Sequence, residues 1–353
     1  MELLERDTSR DDGREAIVRP AIILPMERPQ IVPSPELRSA YAAALGGCLV
    51  VEHDAPGLLR LRGANTLDFL HRMSTNDMTG LAPGGMRGTV LTTAIGRTVD
   101  VVRVLRRPDD VLLLTTPGKA ASVREWLSRY IFFNDDVQTE IVLDPFSLLG
   151  VYGPTSAAAV DELGGSPPAG PGSFLEVGDG LLWTTALPLK GFQLLAGREM
   201  ASRAHALWSR YLAGPSAVQA YEAIRVERGS PAVGREIDED AIPLEVGLWD
   251  LVSFSKGCYI GQEVIARMES RGRVARRLVG LRLDRLEESP QEVLLDRQPI
   301  GRLTSVALSP RFGPIGLALV RASALEGGPG EFALSPSGRA VGIQALPFDD
   351  AAV

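Results

Sequence analysis

Apolar and polar positions follow two different periods along the first half of the chain. Apolar residues recur at helical spacing in 65–73 and 119–131. Apolar and polar residues alternate at 58–62, and strand-like runs follow at residues 88–93, 98–105, 111–115 and 139–143. A helix, a group of strands, a second helix and a last strand predict an α+β layered domain rather than a doubly wound parallel sheet.

A second α/β pattern extends from about residue 147 to residue 275. It predicts a helix just after Gly153, strands near 181–195, and helices near 199–212 and 216–228. Gly229 follows the last of these helices and is expected to end it, because glycine readily adopts the left-handed conformation of a helix C-terminus.

The pattern of apolar and polar positions changes at residue 278, after which short apolar segments are separated by Gly, Pro and charged turns. These segments are residues 278–283, 292–296, 300–306, 315–320, 331–334 and 340–346. Six strands without a helix predict a small closed β-barrel. The 353 residues therefore divide into a proline-rich extended lead-in at 1–35, a first α/β domain at 36–146, a second at 147–276 and the C-terminal β-barrel at 277–353.

The charge pattern argues against nucleic acid as a partner. The formal net charge is −7, whereas a general nucleic-acid binder needs a basic face. Residues 256–277 are nevertheless basic, with six Lys or Arg against two Glu, and residues 235–250 just before them are acidic. Charge alone leaves two interpretations open: a site for a small anionic ligand, or an ion-paired surface between adjacent loops.

Cysteine and histidine usage exclude several classes of protein. Two cysteines, Cys48 and Cys258, cannot form a disulfide framework, and their scarcity is typical of a reducing cytosol. The three histidines share no ligand spacing, so we expect no metal site. No segment has the length and apolarity of a membrane span, and we expect a cytoplasmic protein that binds no membrane.

The most informative segment is Lys-Gly-Cys-Tyr-Ile-Gly-Gln-Glu at residues 256–263. Cys258 lies in a glycine-rich turn beside Lys256 and the basic run that follows, which is a typical setting for a reactive thiol. The alternative is a tight turn around a buried, inert thiol. Cys48 lies in an apolar context and is expected to be inert.

The octapeptide resembles the signature of the YgfZ-type folate-binding proteins, which are relatives of the glycine-cleavage T-protein (aminomethyltransferase). Further segments are similar to this family, so the resemblance covers roughly residues 36–350. They are Ser74–Asp77, Leu81–Gly85, Gly96–Asp100, Glu236–Asp240, Ile242–Leu248, Gly301–Ser305 and Leu346–Phe348.

The resemblance implies two α/β domains, related to the ferredoxin-like fold, around a central cavity that binds tetrahydrofolate, with the β-barrel closing the cavity. The tetrahydrofolate would be bound with or without a polyglutamate tail. By position, the resemblance assigns the folate contacts to Asp100, Gln193, Arg225, Lys256 and Tyr259, and the basic run at 267–277 is placed to meet the anionic tail.

Each contact has a structural alternative. Asp100 follows a glycine-initiated strand and would be solvated in a purely structural role, while Arg225 has Glu222 and Glu227 as potential partners on its own helix. Gln193 occupies a position where T-proteins carry a glutamate. An amide donates and accepts hydrogen bonds but supplies no negative charge, which weakens the case for aminomethyl transfer.

Cys258 favours the YgfZ-type branch, because T-proteins lack this cysteine motif. The leading prediction is a folate-binding accessory protein that supports iron–sulfur cluster assembly or repair, with iron–sulfur client or assembly proteins as partners and Cys258 as the active thiol. A single cysteine cannot hold a cluster, since stable clusters need about four protein ligands. The alternatives are a folate-dependent aminomethyltransferase or demethylase, and a folate-binding module without catalysis.

Overall fold

The structure is a computed structural model that describes residues 31–164, 167–168, 170–326 and 330–349. Most of the predicted lead-in, residues 1–30, lies outside the described residues. The helices are α1 (Pro35–Gly46), α2 (Thr66–Met73), α3 (Ala120–Ser128), α4 (Ser156–Asp161), α5 (Arg198–Trp208), α6 (Pro215–Arg228), α7 (Gln262–Arg271) and α8 (Ala322–Glu326). Gly229 ends α6 in the left-handed conformation, at φ +66°, as the sequence predicts.

Two five-stranded antiparallel sheets form the larger part of the molecule. In spatial order the first sheet contains β3 (Met86–Thr92), β4 (Thr98–Arg106), β5 (Val111–Thr115), β2 (Gly57–Arg62) and β6 (Gln138–Ile141). The second sheet contains β1 (Leu49–His53), β7 (Ser147–Tyr152), β10 (Gly191–Ala196), β9 (Gly180–Thr185) and β8 (Phe174–Val177). The two sheets are α+β layers, as the hydrophobic pattern predicts.

The sheets pack face to face, with helices on their outer faces. Leu58, Leu105 and Leu114 of the first sheet contact Trp183 and Leu195 of the second sheet in one buried cluster. Helices α2 and α3 cover the other face of the first sheet, and α4 and α5 cover the other face of the second. Polar side chains that extend between the two sheets are therefore candidates for a shared site.

The chain crosses between these layers more than once. Strand β1 pairs with β7, so residues 49–53 complete the second sheet, and α1 packs against α6. The predicted boundary at 146/147 stays a prediction, although this strand pairing cuts across it.

The C-terminal unit is a nearly closed barrel of seven strands, so the predicted number of six is wrong. In spatial order the strands are β16 (Arg339–Ala340), β15 (Phe332–Ser335), β12 (Gln291–Leu295), β13 (Gln298–Ser309), β14 (Gly313–Arg321), β11 (Arg276–Arg282) and β17 (Gly342–Gln344). Residues 340–346 were expected to form one strand. Instead the segment breaks at Val341, because its first part pairs with β15 and its second part with β11, at opposite edges of the sheet.

The barrel differs from the prediction in one more respect, since the short helix α8 follows β14 where no helix was expected. Helix α6 joins the barrel to the second sheet: Ala223 and Val226 pack against Ala307, Ile315 and Leu317. Within the described ranges, no helix has both the length and the apolarity needed to cross a membrane.

Candidate functional site

The octapeptide is fixed to the first α/β layer by Lys256. Its Nζ donates hydrogen bonds to the carbonyl oxygens of His71, Ser74 (2.7 Å) and Asn76 (2.9 Å), at the C-terminal end of α2. The last carbonyls of a helix lack partners within the helix and carry partial negative charge, so they suit an ammonium group. Burial lowers the pKa of Lys256 to about 8, which leaves it mainly charged at neutral pH.

A second contact fixes the other end of the octapeptide. Gly261 has φ +84°, and a Cβ atom there would lie 2.5 Å from the carbonyl oxygen of Thr93. The Thr92 hydroxyl donates a 2.6 Å hydrogen bond to the carbonyl oxygen of Ile260. Only glycine meets both demands, a left-handed backbone and close approach to the turn between β3 and β4. Helix α7 begins at the next residue.

Between these two contacts, Tyr259 points inward and Cys258 lies at the surface. Tyr259 packs against Leu244, Val252 and Ile265, and burial raises its pKa to about 12. The Nζ atom of Lys256 lies 5.0 Å from the centroid of the Tyr259 ring, a cation–π geometry. Cys258 is exposed, in contrast to the inert buried thiol that the sequence left open as an alternative.

The other cysteine is of a different kind. Cys48 is buried, and burial raises its pKa to about 11, so it remains a thiol at neutral pH. Both cysteines are free, and no bridge joins them. Cys258 is thus the exposed thiol of the described chain.

The interpretation as an ion-paired surface holds for part of the basic run, and an anionic ligand at the rest of it stays a prediction. Arg276 pairs with the buried Glu245 at 2.8 Å, and Arg267 pairs with Glu263 one helical turn away. Their charges are used within the protein. The other three basic side chains of the run have no carboxylate within 4.0 Å among the residues that the structure describes; they are Arg271, Arg273 and Arg277.

A polar cluster lies between the two sheets around Gln193, on β10. The Gln193 Oε1 accepts hydrogen bonds from Arg103 Nη1 (3.0 Å) and Trp183 Nε1 (3.1 Å), and its Nε2 donates to the Tyr152 hydroxyl (3.1 Å). Arg103 comes from β4 of the first sheet, whereas the other three residues belong to the second sheet. Gln193 therefore fixes side chains from both sheets, and both its amide oxygen and its amide nitrogen already form hydrogen bonds within the protein.

Two further side chains complete this group. The His53 Nε2 lies 2.6 Å from the Tyr152 hydroxyl, and the Tyr221 ring lies 5.0 Å from the His53 ring. Burial, with a smaller contribution from the positive charge of Arg103, lowers the pKa of His53 to about 4, so His53 is neutral at pH 7. We refer to these six residues, Arg103, Gln193, Trp183, Tyr152, His53 and Tyr221, as the Arg103 cluster.

A glycine in β7 makes room for this cluster. A Cβ atom at Gly150 would lie 2.3 Å from the Tyr152 ring, which crosses directly over that position. Side chains two residues apart in a strand lie on the same face, so only a glycine lets the ring lie flat toward Gln193. Gly150 is the sequence signal for a side chain folded across the sheet.

Asp100 lies on β4 but on the opposite face from Arg103. It is 1% exposed, and its carboxylate accepts hydrogen bonds from the Thr116 N–H (3.0 Å), the Thr116 hydroxyl (2.5 Å) and the Val101 N–H (3.0 Å). Burial raises its pKa, while the bonds from Thr116 act in the opposite direction. Asp100 is thus not a solvated surface residue, and in this structure it fixes the chain after β5.

Arg225 joins α6 to the barrel. Its guanidinium pairs with Glu222 and Glu236 at 3.1 Å each and donates to the Ser305 hydroxyl on β13 at 2.7 Å. Glu222 was one of the two partners expected for it. The other, Glu227, instead accepts hydrogen bonds from Tyr41 and Ser309.

The predicted folate contacts thus occupy four places. Lys256 and Tyr259 share the octapeptide with Cys258, Gln193 lies between the sheets, Asp100 faces α3, and Arg225 faces the barrel. A cavity of about 630 Å³ between the loop at 234–238 and the barrel, and one of about 180 Å³ at one edge of the two sheets, are lined by none of these residues. Direct contact of each with folate stays a prediction.

Comparison with known proteins identifies the fold first. The structure superimposes on the glycine cleavage system aminomethyltransferase T from Bartonella henselae with a TM-score of 0.76, covering 90% of this chain and 91% of that one at 19% identity. The GCVT N-terminal domain model matches residues 28–168, and the glycine cleavage T-protein C-terminal barrel domain model matches residues 276–348.

Two sequence relatives agree with this result. The aminomethyltransferase of Geobacillus kaustophilus is 30% identical over 287 residues, which cover 75% of this chain and 77% of that protein. A protein of Arabidopsis thaliana, described as a candidate chloroplastic transferase, is 31% identical over 273 residues; the chain spans 62% of its length. The chain therefore belongs to the glycine cleavage T-protein (aminomethyltransferase) family.

Proposed function

We propose that the protein binds tetrahydrofolate and supports the assembly or repair of iron–sulfur clusters in client enzymes, with Cys258 as its reactive thiol. The observation that carries this proposal is the exposed thiol on a turn fixed at both ends, by Lys256 and by Gly261, within a T-protein fold. Two fixed ends hold Cys258 at a defined place on the first layer while its sulfur remains open to another protein.

The chemistry open to this thiol is limited by its surroundings. A thiolate attacks a disulfide or an electrophile, or ligates an iron ion transiently. It also attacks the outer sulfur of a partner's persulfide, which transfers that sulfur to Cys258 and releases the partner's thiolate. No group of three or more potential metal ligands occurs among the described residues, and four protein ligands are the usual requirement for a stable cluster. Cys258 would therefore exchange a ligand with a partner rather than hold a cluster by itself.

Tetrahydrofolate, when bound, supplies a reduced pterin that carries one-carbon units. The Arg103 cluster suits a planar, anionic ligand, because Arg103 has unused N–H donors there and aromatic rings lie beside it. Gln193 and Arg225 already use their hydrogen-bonding groups within the protein, so a folate that contacts them must exchange those bonds. Lys256 would act indirectly, by positioning the octapeptide on the first layer.

The test compares Cys258→Ala with Cys48→Ala, a matched control that removes the buried thiol. Cys258→Ala should bind tetrahydrofolate as the wild type does, yet fail to restore iron–sulfur enzyme activity in cells that lack the protein. Cys48→Ala should restore that activity if it folds, which circular dichroism checks. Full rescue by Cys258→Ala would refute the role of the thiol, and a lack of tetrahydrofolate binding by the wild type would refute the folate part.

A second candidate is a folate-dependent aminomethyltransferase or demethylase. It is favoured by the relative named aminomethyltransferase, which is 30% identical over three quarters of both chains. The assay is the formation of methylene-tetrahydrofolate from an aminomethyl-loaded carrier protein. Turnover that Cys258→Ala leaves unchanged would favour this candidate over the accessory role. Iron–sulfur partners and the cytoplasmic location remain predictions.

A further inference from the structure

Arg103 carries a positive charge that no carboxylate among the described residues pairs with. Its guanidinium donates one hydrogen bond, to the neutral amide of Gln193, and over the described part of the chain no carboxylate lies within 4.0 Å of it. Burial lowers its pKa from the usual value, which reflects the cost of removing a charge from water. A partly buried guanidinium without an anion is expensive, and proteins usually pair such groups.

The groups around Arg103 do not supply the missing negative charge. Tyr152 and Tyr221 are neutral at pH 7, since burial raises the pKa of both hydroxyls, and His53 is neutral as well. Two acidic residues act on these side chains: Glu222 on Tyr221 and His53, and the exposed Asp54 on His53 alone. Neither lies within 4.0 Å of Arg103. The Glu222 carboxylate is already shared by Arg225 and Arg235, so the region keeps an uncompensated positive charge.

Arg103 is also accessible and held in one orientation. The side chain is partly exposed, and its Nε and Nη2 atoms are not sealed from solvent. Its Cζ atom lies 5.7 Å from the centroid of the Trp183 ring, while the bond to Gln193 fixes Nη1. A planar guanidinium held in this way presents its remaining N–H groups as a fork, which matches the two oxygens of a carboxylate.

We propose that Arg103 is the binding residue for a carboxylate group of the ligand that enters between the two sheets, with Trp183, Tyr152 and Tyr221 forming the wall behind it. This inference rests on the proposed function for the identity of the ligand. The carboxylate belongs either to tetrahydrofolate itself or to a small carboxylate bound beside it. In both cases Arg103 determines that an anionic group is preferred at this position.

The experiment uses the full chain and four variants, one of which is Arg273→Met in the exposed basic run. Arg103→Met removes the charge but keeps a long side chain, Arg103→Lys keeps the charge but removes the fork, and Arg106→Met is a control on the opposite face of the same strand. Calorimetric titration measures binding of tetrahydrofolate, of tetrahydropteroate, which lacks the glutamate, and of acetate and glycine. Thermal melting checks that each variant is folded, and Arg103→Lys remains informative if Arg103→Met does not fold.

If the carboxylate belongs to folate, Arg103→Met weakens tetrahydrofolate binding by a factor of about 10 to 100, the range of one or two charge-assisted hydrogen bonds. Tetrahydropteroate then binds wild type and variant equally. If it belongs to a second ligand, acetate or glycine binding is lost in Arg103→Met while tetrahydrofolate binding is kept. Arg106→Met should change neither.

Equal binding of all four compounds by the wild type and Arg103→Met overturns the proposal. A loss of tetrahydrofolate affinity in Arg273→Met but not in Arg103→Met places the folate carboxylate on the exposed basic run, and it overturns the proposal if acetate and glycine binding is also unchanged in Arg103→Met. The proposed function fails in a different way, by absence of tetrahydrofolate binding in the wild type, and the acetate and glycine titrations still test Arg103 in that case.

Discussion

Replacing Gly261 by alanine tests whether the octapeptide is rigidly fixed to the first layer. Gly261 and Gly272 stand at the two ends of α7, and both have left-handed backbones, at φ +84° and +60°. Around Gly272 a Cβ atom would meet nothing within 4 Å, whereas at Gly261 it would lie 2.5 Å from the Thr93 carbonyl oxygen. Gly272→Ala is therefore a control for the backbone cost alone.

The magnitudes of the two substitutions differ for a physical reason. An alanine in the left-handed conformation costs about 1–2 kcal/mol, and both variants share this cost. Only Gly261→Ala must also push the octapeptide away from the β3–β4 turn, and forcing an extra group into a packed contact adds about 1–3 kcal/mol. We expect Gly261→Ala to lower the free energy of unfolding by about 2–5 kcal/mol and Gly272→Ala by about 1–2 kcal/mol.

Two measurements check this reasoning. Urea unfolding gives the free energies, and the rate at which Cys258 reacts with an aromatic disulfide reports whether the turn has moved. The reaction of Cys258 should change in Gly261→Ala and stay at the wild-type rate in Gly272→Ala. Equal losses of stability in the two variants, with equal thiol reactivity, would refute the close approach of Gly261 to Thr93.

Lys256 and His53 are the subjects of the remaining predictions, the first as a partly buried charge and the second as a partly buried neutral ring. Lys256→Met removes three hydrogen bonds from an ammonium group, while it also removes the cost of desolvating that group, so it should lower the free energy of unfolding by about 2–4 kcal/mol. The control, Lys190→Met, changes an exposed side chain and should cost less than about 0.5 kcal/mol. Equal losses of stability in urea unfolding would contradict the anchoring role of Lys256. For His53, burial lowers the pKa to about 4 from a usual 6.5, so the unfolded chain binds its proton first as the pH falls. The associated stability is complete above pH 6.5 and is lost toward pH 4, by up to about 3 kcal/mol. His53→Gln should lose less stability than the wild type between pH 7 and pH 4, and identical losses would count against a buried neutral His53.

Local patterns in the sequence predicted much of the fold. The helix at residues 215–228 and its glycine end follow from apolar spacing and from the left-handed preference of Gly229. The barrel strand at 340–346 was predicted as one piece because periodicity describes a segment but not which neighbours it pairs with. Its division between two sheet edges depends on contacts with residues far away in the sequence.

The site was predicted less completely, for the same reason. The octapeptide marked Cys258, but nothing local to it indicates that Lys256 binds carbonyls 180 residues and more away along the chain. Arg103 was not predicted as a site residue, because an arginine in an alternating strand is expected to be solvated unless the facing sheet is known. Gly150, a glycine inside an otherwise apolar strand, was the available signal that a large side chain crosses the sheet there.

The contacts of the octapeptide with the first layer have a consequence for biosynthesis. The turn between β3 and β4 and the end of α2 are completed by residues 256–261, which leave the ribosome well over 100 residues after β6. Contacts so distant in sequence form late and slowly. The N-terminal half should therefore stay incompletely folded until the cysteine segment has left the ribosome. A fragment that ends at residue 146 should accordingly be more susceptible to protease than the same residues in the full chain.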